Sequence, residues 1–312
     1  MSDSSAHTVI SAKPVVLPAP GRGTGLAVRV SAPASGDALP VVVFSHGYGW
    51  SMDGYAPLAD YWAANGFVVV QPTHLDSRAI GVPPEDPRTP QIWRIRIEDL
   101  RRALDGLDQL AAAVPGLRGR VDHSRIAVAG HSWGAQSAST LLGARVLDAD
   151  GGPGDDLSDP RVRAGVLLAV TGLGDQLSPF AAEHFPFMRP SFARMTTPAL
   201  VVAGDSDDSH LSTRGPDWFT DAYTHSPGEK SLLTVFGGEH SLGGIVGYEV
   251  AETTDASPAR VALIQQLTCA YLQSALGVDD TAWQAASAAL AADPDAAGAL
   301  RNKETVPESV SS

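Results

Sequence analysis

Apolar positions along the chain follow two patterns. Unbroken runs recur at Val41-Val42-Val43-Phe44, Phe67-Val68-Val69-Val70 and Ile126-Ala127-Val128-Ala129, and again at residues 166–170, 200–203 and 232–236. A strand reads this way when both of its faces are covered, as in a parallel sheet flanked by helices. Residues 26–30 instead alternate apolar and other side chains and, with residues 14–17, predict an antiparallel edge. The second pattern has the helical period. Residues 55–65 are long enough for a crossover helix that Gly66 stops. After Pro90, the residues Ile97, Leu100, Leu104, Leu107, Ala111 and Val114 recur at steps of three and four until Pro115-Gly116 and predict one continuous helix. The arginines along it, Arg94, Arg96, Arg101 and Arg102, are interleaved with Glu98, Asp99, Asp105 and Asp108, which reads as a solvated face. Strands alternating with helices predict an α/β fold, with a mostly parallel central sheet and helices on both faces.

Residues 14–276 read as one domain, with an N-terminal arm over 1–13, a C-terminal helical extension over 277–303 and a flexible tail over 304–312. The extension holds an alanine-rich helix near 281–300 that follows another at about 258–276. Residues 172–197 are too long for a plain connection and carry Leu173, Phe180, Phe185, Phe187, Met188 and Phe192, so a small cap-like insertion is expected there.

Charge and composition remove several function classes. Against 22 Lys and Arg stand 35 Asp and Glu, a net charge of −13, so a phosphate backbone or an anionic lipid surface is repelled and nucleic acid is not an expected partner. No apolar run approaches the roughly 20 residues of a transmembrane helix. The first residues lack a basic start and an apolar stretch, so the chain as given shows no signal peptide and is expected to be cytoplasmic, or secreted after processing. A single cysteine, Cys269, excludes an intrachain disulfide and a cysteine-built metal site, and it reads as a small buried hydrophobe.

The chemistry gathers at loops that follow strands. Gly130-His131-Ser132-Trp133-Gly134 comes directly after an unbroken apolar run and directly before a small-residue helix, the setting of a nucleophile elbow. Glycines flank a turn too sharp for side chains, and Ser132 is presented above the sheet. A serine hydroxyl needs a base to take its proton. Of nine histidines, His240 fits best, in a glycine-flanked loop after the run at 232–236. Oxyanion donors are expected from the backbone N–H of Trp133, the residue after the nucleophile, and of Tyr48 in Ser45-His46-Gly47-Tyr48-Gly49-Trp50.

These stretches, together with Gly204-Asp205-Ser206-Asp207-Asp208 and Gly238-Glu239-His240, resemble the α/β-hydrolase superfamily of serine esterases over most of residues 14–276. Within it the chain is similar to bacterial chlorophyllase-like and dienelactone-hydrolase-like esterases, and its Ser-x-Gly-Tyr loop also to cutinase-like polyester hydrolases. Two departures stand out: dienelactone hydrolases carry cysteine where this chain has Ser132, and cutinase-like enzymes usually have proline before the oxyanion glycine. The resemblance implies the triad Ser132, Asp207 and His240, with Asp207 placed three residues after the strand-closing glycine. Asp205, Asp208 and Asp175 remain open as the acid.

The expected activity is cleavage of a small apolar ester through an acyl-enzyme, with neither a metal nor an organic cofactor. Trp50, Trp93 and Leu173 are expected to line the substrate pocket. Alternatives keep the triad and change the bond, to a thioester, an amide or peptide, a lipid or a polyester, or keep only the scaffold as a ligand receptor. Thr73-His74-Leu75-Asp76 is expected to satisfy loop backbone groups. No oligomeric state is indicated.

Overall fold

The computed structural model describes residues 7–148, 150–247 and 250–303. Strands β1 (Val9–Leu17), β2 (Leu26–Pro33) and β3 (Leu39–Ser45) lead through helix α1 (Ala56–Ala64) to β4 (Val68–Pro72). Helices α2 (Ile92–Asp105) and α3 (Leu107–Ala113) come next, then β5 (Val121–His131), α4 (Trp133–Leu141), the short β6 (Arg145–Val146) and β7 (Val162–Leu168). The chain continues through α5 (Pro179–His184), the short β8 (Pro190–Ser191), β9 (Ala199–Gly204), α6 (Asp221–His225) and β10 (Lys230–Val235). It closes with α7 (Pro258–Ala275), α8 (Ala282–Ala292) and β11 (Gly298–Asn302).

Nine of these strands form one sheet in the order β1-β2-β4-β3-β5-β7-β9-β10-β11. The run from β4 to β10 is parallel throughout, and β1, β2 and β11 pair antiparallel at the two edges. The unbroken apolar runs are its centre: Val41–Val43, Val69, Val70, Ala127–Ala129, Val166–Leu168 and Leu200–Val202 are all fully buried. A buried strand must satisfy its backbone within the sheet and its side chains against helices, which explains why these runs lack polar alternation. Across the molecule, Trp62 of α1 donates its indole N–H to Thr268 Oγ1 of α7 at 3.0 Å, fixing two helices that are 206 residues apart in the chain. Cys269 lies beside that contact, buried, with its thiol pushed up to about 12 by desolvation.

Four elements differ from the sequence-based expectation. The helix after Pro90 is two helices that meet at Gly106, where a Cβ would stand 2.9 Å from both methyl carbons of Leu17. The missing side chain lets β1 pack against the break. At the C-terminus the alanine-rich helix stops at Ala292 rather than near 300, because Pro294 forces Asp293 into an extended conformation. Gly298–Asn302 then pairs antiparallel with β10, so the extension is part helix and part sheet edge. Residues 9–13, read as part of an arm, belong to β1 and pair with β2. The segment 172–197 contains a 3-10 turn, α5 and β8, and β8 pairs with β6. The tail at 304–312 and residues 1–6 lie outside the described residues. Among the described residues, no helix is long and apolar enough to cross a membrane.

Candidate active site

A sharp turn joins β5 to α4. Ser132 sits there at φ 56° and ψ −124°, a conformation that an L-residue adopts only under constraint from its surroundings. Both flanking glycines are required by close approach. A Cβ on Gly134 would overlap the carbonyl oxygen of Ser45, and one on Gly130 would overlap the Gly134 backbone. The Ser132 N–H donates to the Leu168 carbonyl at 2.9 Å, which anchors the turn to β7. The hydroxyl stands at the N-terminus of α4, where the helix dipole favours developing negative charge.

Two loops bring partners to this hydroxyl. His240, past the end of β10, places Nε2 2.9 Å from Ser132 Oγ and Nδ1 2.9 Å from Asp207 Oδ2. Asp207 follows β9 and its side chain is 2% exposed, whereas the His240 side chain is 45% exposed. Because a carboxylate only accepts, Nδ1 carries the proton and Nε2 is left to accept from Ser132. The other acids are placed differently. Asp205 accepts the Gly237 N–H at 2.6 Å and so holds the loop leading to His240, while Asp208 and Asp175 are exposed and contact neither His240 nor Ser132. Asp255, which has no motif around it, accepts the N–H groups of Glu239 and Gly243, both at 2.8 Å, and braces the His240 loop from both sides.

His131 links this loop to the oxyanion segment. Its Nε2–H donates to the His240 carbonyl at 2.8 Å, and its Nδ1 accepts from the Tyr55 hydroxyl at 2.9 Å. That same hydroxyl accepts the Gly47 N–H at 3.0 Å. Burial, reinforced by the neighbouring His240, brings the His131 pKa down to about 3, so this bridge is a neutral imidazole.

The segment Ser45-His46-Gly47-Tyr48-Gly49 is clamped at both ends by one ion pair. Arg96 of α2 donates to Asp76 Oδ1 at 2.6 Å and to the His46 carbonyl, and Asp76 Oδ2 accepts the Gly49 N–H at 3.1 Å. The guanidinium also reaches Ser137 Oγ of α4 at 3.2 Å and lies 4.8 Å from the centre of the Trp133 ring. With side chains 0% and 2% exposed, this pair is wholly desolvated. Beneath it, Ser45 Oγ is 3.0 Å from His74 Nε2, and His74 Nδ1 is 3.1 Å from Asp99 Oδ2. The sequence Ser-His-Asp is thus repeated, but in the closed interior, where no substrate enters. Arg22 completes it by donating to Asp99 Oδ1 at 2.8 Å. Among the described residues, the backbone N–H groups of Tyr48 and Trp133 have no protein acceptor, and both residues border the cleft above Ser132.

That cleft has two lobes. One, of about 190 Å³, is lined by Ser132, His240, Trp50, Arg78, Val246 and Glu252 among others. The other, of about 390 Å³, has walls of Trp133, Phe185, Phe187, Ile92, Val82 and Pro90. Tyr48, 56% exposed, borders both. The rings of Trp133 and Phe187 stack at 4.9 Å with 19° between their planes. Of the three residues expected at the pocket, only Trp50 borders a lobe. Trp93 borders neither lobe: it is half-buried on α2, packed against the cluster of Leu75, Ile92 and Trp133, with the Arg94 guanidinium 4.9 Å from its ring. Leu173 borders a separate depression with Asp175 and Arg189, held there by its N–H on Asp221 Oδ2. Phe185 and Phe187 of the same segment line the larger lobe in its place.

No curated protein matches the chain. The family model described as "Alpha/beta hydrolase family" matches residues 42–236, from within β3 to just past β10. That span covers more than half of the 312 residues and includes the elbow, the Asp207 loop and the parallel part of the sheet. The chain therefore belongs to the alpha/beta hydrolase family, and is a hydrolase.

Proposed function

We propose that this hydrolase is a serine carboxylic-ester hydrolase that works through an acyl-enzyme. The observation that carries the reading is the line of two 2.9 Å contacts from buried Asp207 through His240 to Ser132, at the floor of an open cleft. In this reading Ser132 Oγ attacks the ester carbonyl while its proton passes to His240 Nε2. Asp207 holds the imidazole in the tautomer that accepts this proton and stabilises the imidazolium that results. The oxyanion takes the N–H groups of Tyr48 and Trp133, free of protein acceptors and backed by the α4 N-terminus. The intermediate collapses, the alcohol leaves with the proton from His240, and water activated by the same imidazole releases the acid. No step calls for a metal or an organic cofactor. The similarity of the Ser-x-Gly-Tyr loop to that of cutinase-like polyester hydrolases supports an ester bond, and the aromatic lobe supports an apolar substrate.

The test is hydrolysis of p-nitrophenyl esters from acetate to palmitate by the wild type and by Ser132→Ala, each shown to be folded by circular dichroism. Activity in the wild type and its loss by several orders of magnitude in the folded variant is the expected result. A folded wild type that hydrolyses none of these esters and resists a fluorophosphonate label overturns the reading.

A further inference from the structure

The two lobes of the cleft are unequal, and the chemistry of the leaving group assigns them. When the Ser132 Oγ–carbon bond has formed, the bond between that carbon and the alcohol oxygen breaks, and the oxygen takes the proton that His240 received from Ser132. The alcohol oxygen must therefore lie against His240 Nε2, and whatever it carries extends into the lobe that His240 borders. The carbonyl oxygen points to the Tyr48 and Trp133 N–H groups. The acyl chain is left with the remaining direction, away from His240 and past Tyr48.

On the side of His240 the lobe holds about 190 Å³ and is rimmed by the exposed Arg78–Glu252 ion pair, 2.9 Å between charges. On the far side of Tyr48 it holds about 390 Å³ between Trp133, Phe187 and the proline-rich stretch 82–90, and His240 does not border it. Trp133 thus serves twice, its N–H at the oxyanion and its ring as the wall of this lobe. We propose that the acyl group occupies the larger, aromatic lobe and the alcohol the smaller one, so that the substrate is an ester of a bulky apolar acid with a short alcohol. This orientation rests on the serine-esterase reading given above.

Two constitutional isomers test it directly. Methyl 3-phenylpropanoate and 2-phenylethyl acetate contain the same atoms with the ester reversed, and acid release from both can be followed by titration at constant pH. With each rate divided by that of hydroxide-catalysed hydrolysis, kcat/KM is expected to be about tenfold or more higher for methyl 3-phenylpropanoate, the discrimination that a fitted apolar group commonly provides. Filling the aromatic lobe with Val82→Trp, confirmed as folded by circular dichroism, is expected to bring the ratio towards one. Equal rates, or a preference for 2-phenylethyl acetate, overturn the orientation. So does an enzyme that hydrolyses p-nitrophenyl acetate but neither isomer. Failure on p-nitrophenyl acetate together with no fluorophosphonate labelling removes the esterase reading itself, a result distinct from the others.

Discussion

One guanidinium holds both backbone donors of the proposed oxyanion site. Arg96 touches the His46 carbonyl, Ser137 of the elbow helix and the Trp133 ring, while its partner Asp76 takes the Gly49 N–H, so Tyr48 is suspended between two ends of one buried ion pair. Breaking such a pair leaves a charge without a partner in the interior, whereas a conservative change relaxes its geometry. Arg96→Lys keeps the pair and loses the fork, whereas Asp76→Asn keeps an acceptor for Gly49 but leaves the Arg96 guanidinium without its counter-charge and lowers stability as well. Both variants are expected to lower kcat for p-nitrophenyl acetate by about 10- to 100-fold, less than the loss of a whole oxyanion donor, with KM little changed. The inhibition constant of phenylboronic acid, whose tetrahedral oxygen occupies the same site, is expected to rise in parallel. A fall in thermal stability with kcat and the boronate constant unmoved would make the pair structural only. This part of the site carries no local signal in the sequence. The elbow is legible because glycines, a preceding strand and a following helix all act within a dozen residues, and His240 because its loop is glycine-flanked. Arg96 lay among interleaved charges that read as a solvated face, and Asp76, Tyr55 and Asp255 have their partners 20, 76 and 16 residues away in the chain.

At the scale of elements, the core strands are legible because a strand covered on both faces is dominated by apolar side chains, whatever its neighbours. The edges are less so. A strand paired on one side has weak patterning, and Gly298–Asn302 follows a run of alanines whose helical propensity dominates any short window. The stop at Pro294 is the one local clue to the change of element. The added strand protects the sheet, because β11 covers the outer edge of β10, where Ser231, Leu233 and Val235 pair with Asn302, Leu300 and Gly298. Without it, the row of β10 backbone groups would be open to pairing with another chain. A chain ended after Asp293 is expected to keep the elbow and its partners but to melt at lower temperature and to scatter light at concentrations where the full chain does not. Measuring melting and static light scattering on both forms checks this; equal melting and equal scattering would mean that the β10 edge is protected by other means.

Over the whole molecule, the response to acid sets two effects against each other. The chain carries a formal net charge of −13, and lowering the pH towards the pI near 5.0 relieves its self-repulsion, which favours the compact state. The interior works in the opposite direction. Burial, with Arg96 adding to it, brings His46 down to about 4, burial beside His240 brings His131 to about 3, and burial next to Arg96 holds His74 well below its ordinary value. As the pH falls below 6.5 the unfolded chain takes up protons at these three positions that the folded chain resists, so stability falls with the pH. Asp99 opposes one of them: burial, resisted by Arg22, raises its carboxyl to about 6, so the folded chain holds a proton below that pH that the unfolded chain lacks. Asp99 offsets part of the histidine effect, and the direction that remains is a loss of stability as the pH falls below 6. Self-repulsion among exposed charges is screened by salt, whereas protons refused by a closed interior are not. Melting temperatures followed from pH 8 to pH 4.5 are therefore expected to fall steeply below pH 6 in 0.5 M salt as well as in dilute buffer. A melting temperature that stays level, or rises towards pH 5, would mean that the imidazoles beneath the oxyanion segment are hydrated and not locked into the neutral network that joins Arg22, Asp99, His74 and Ser45.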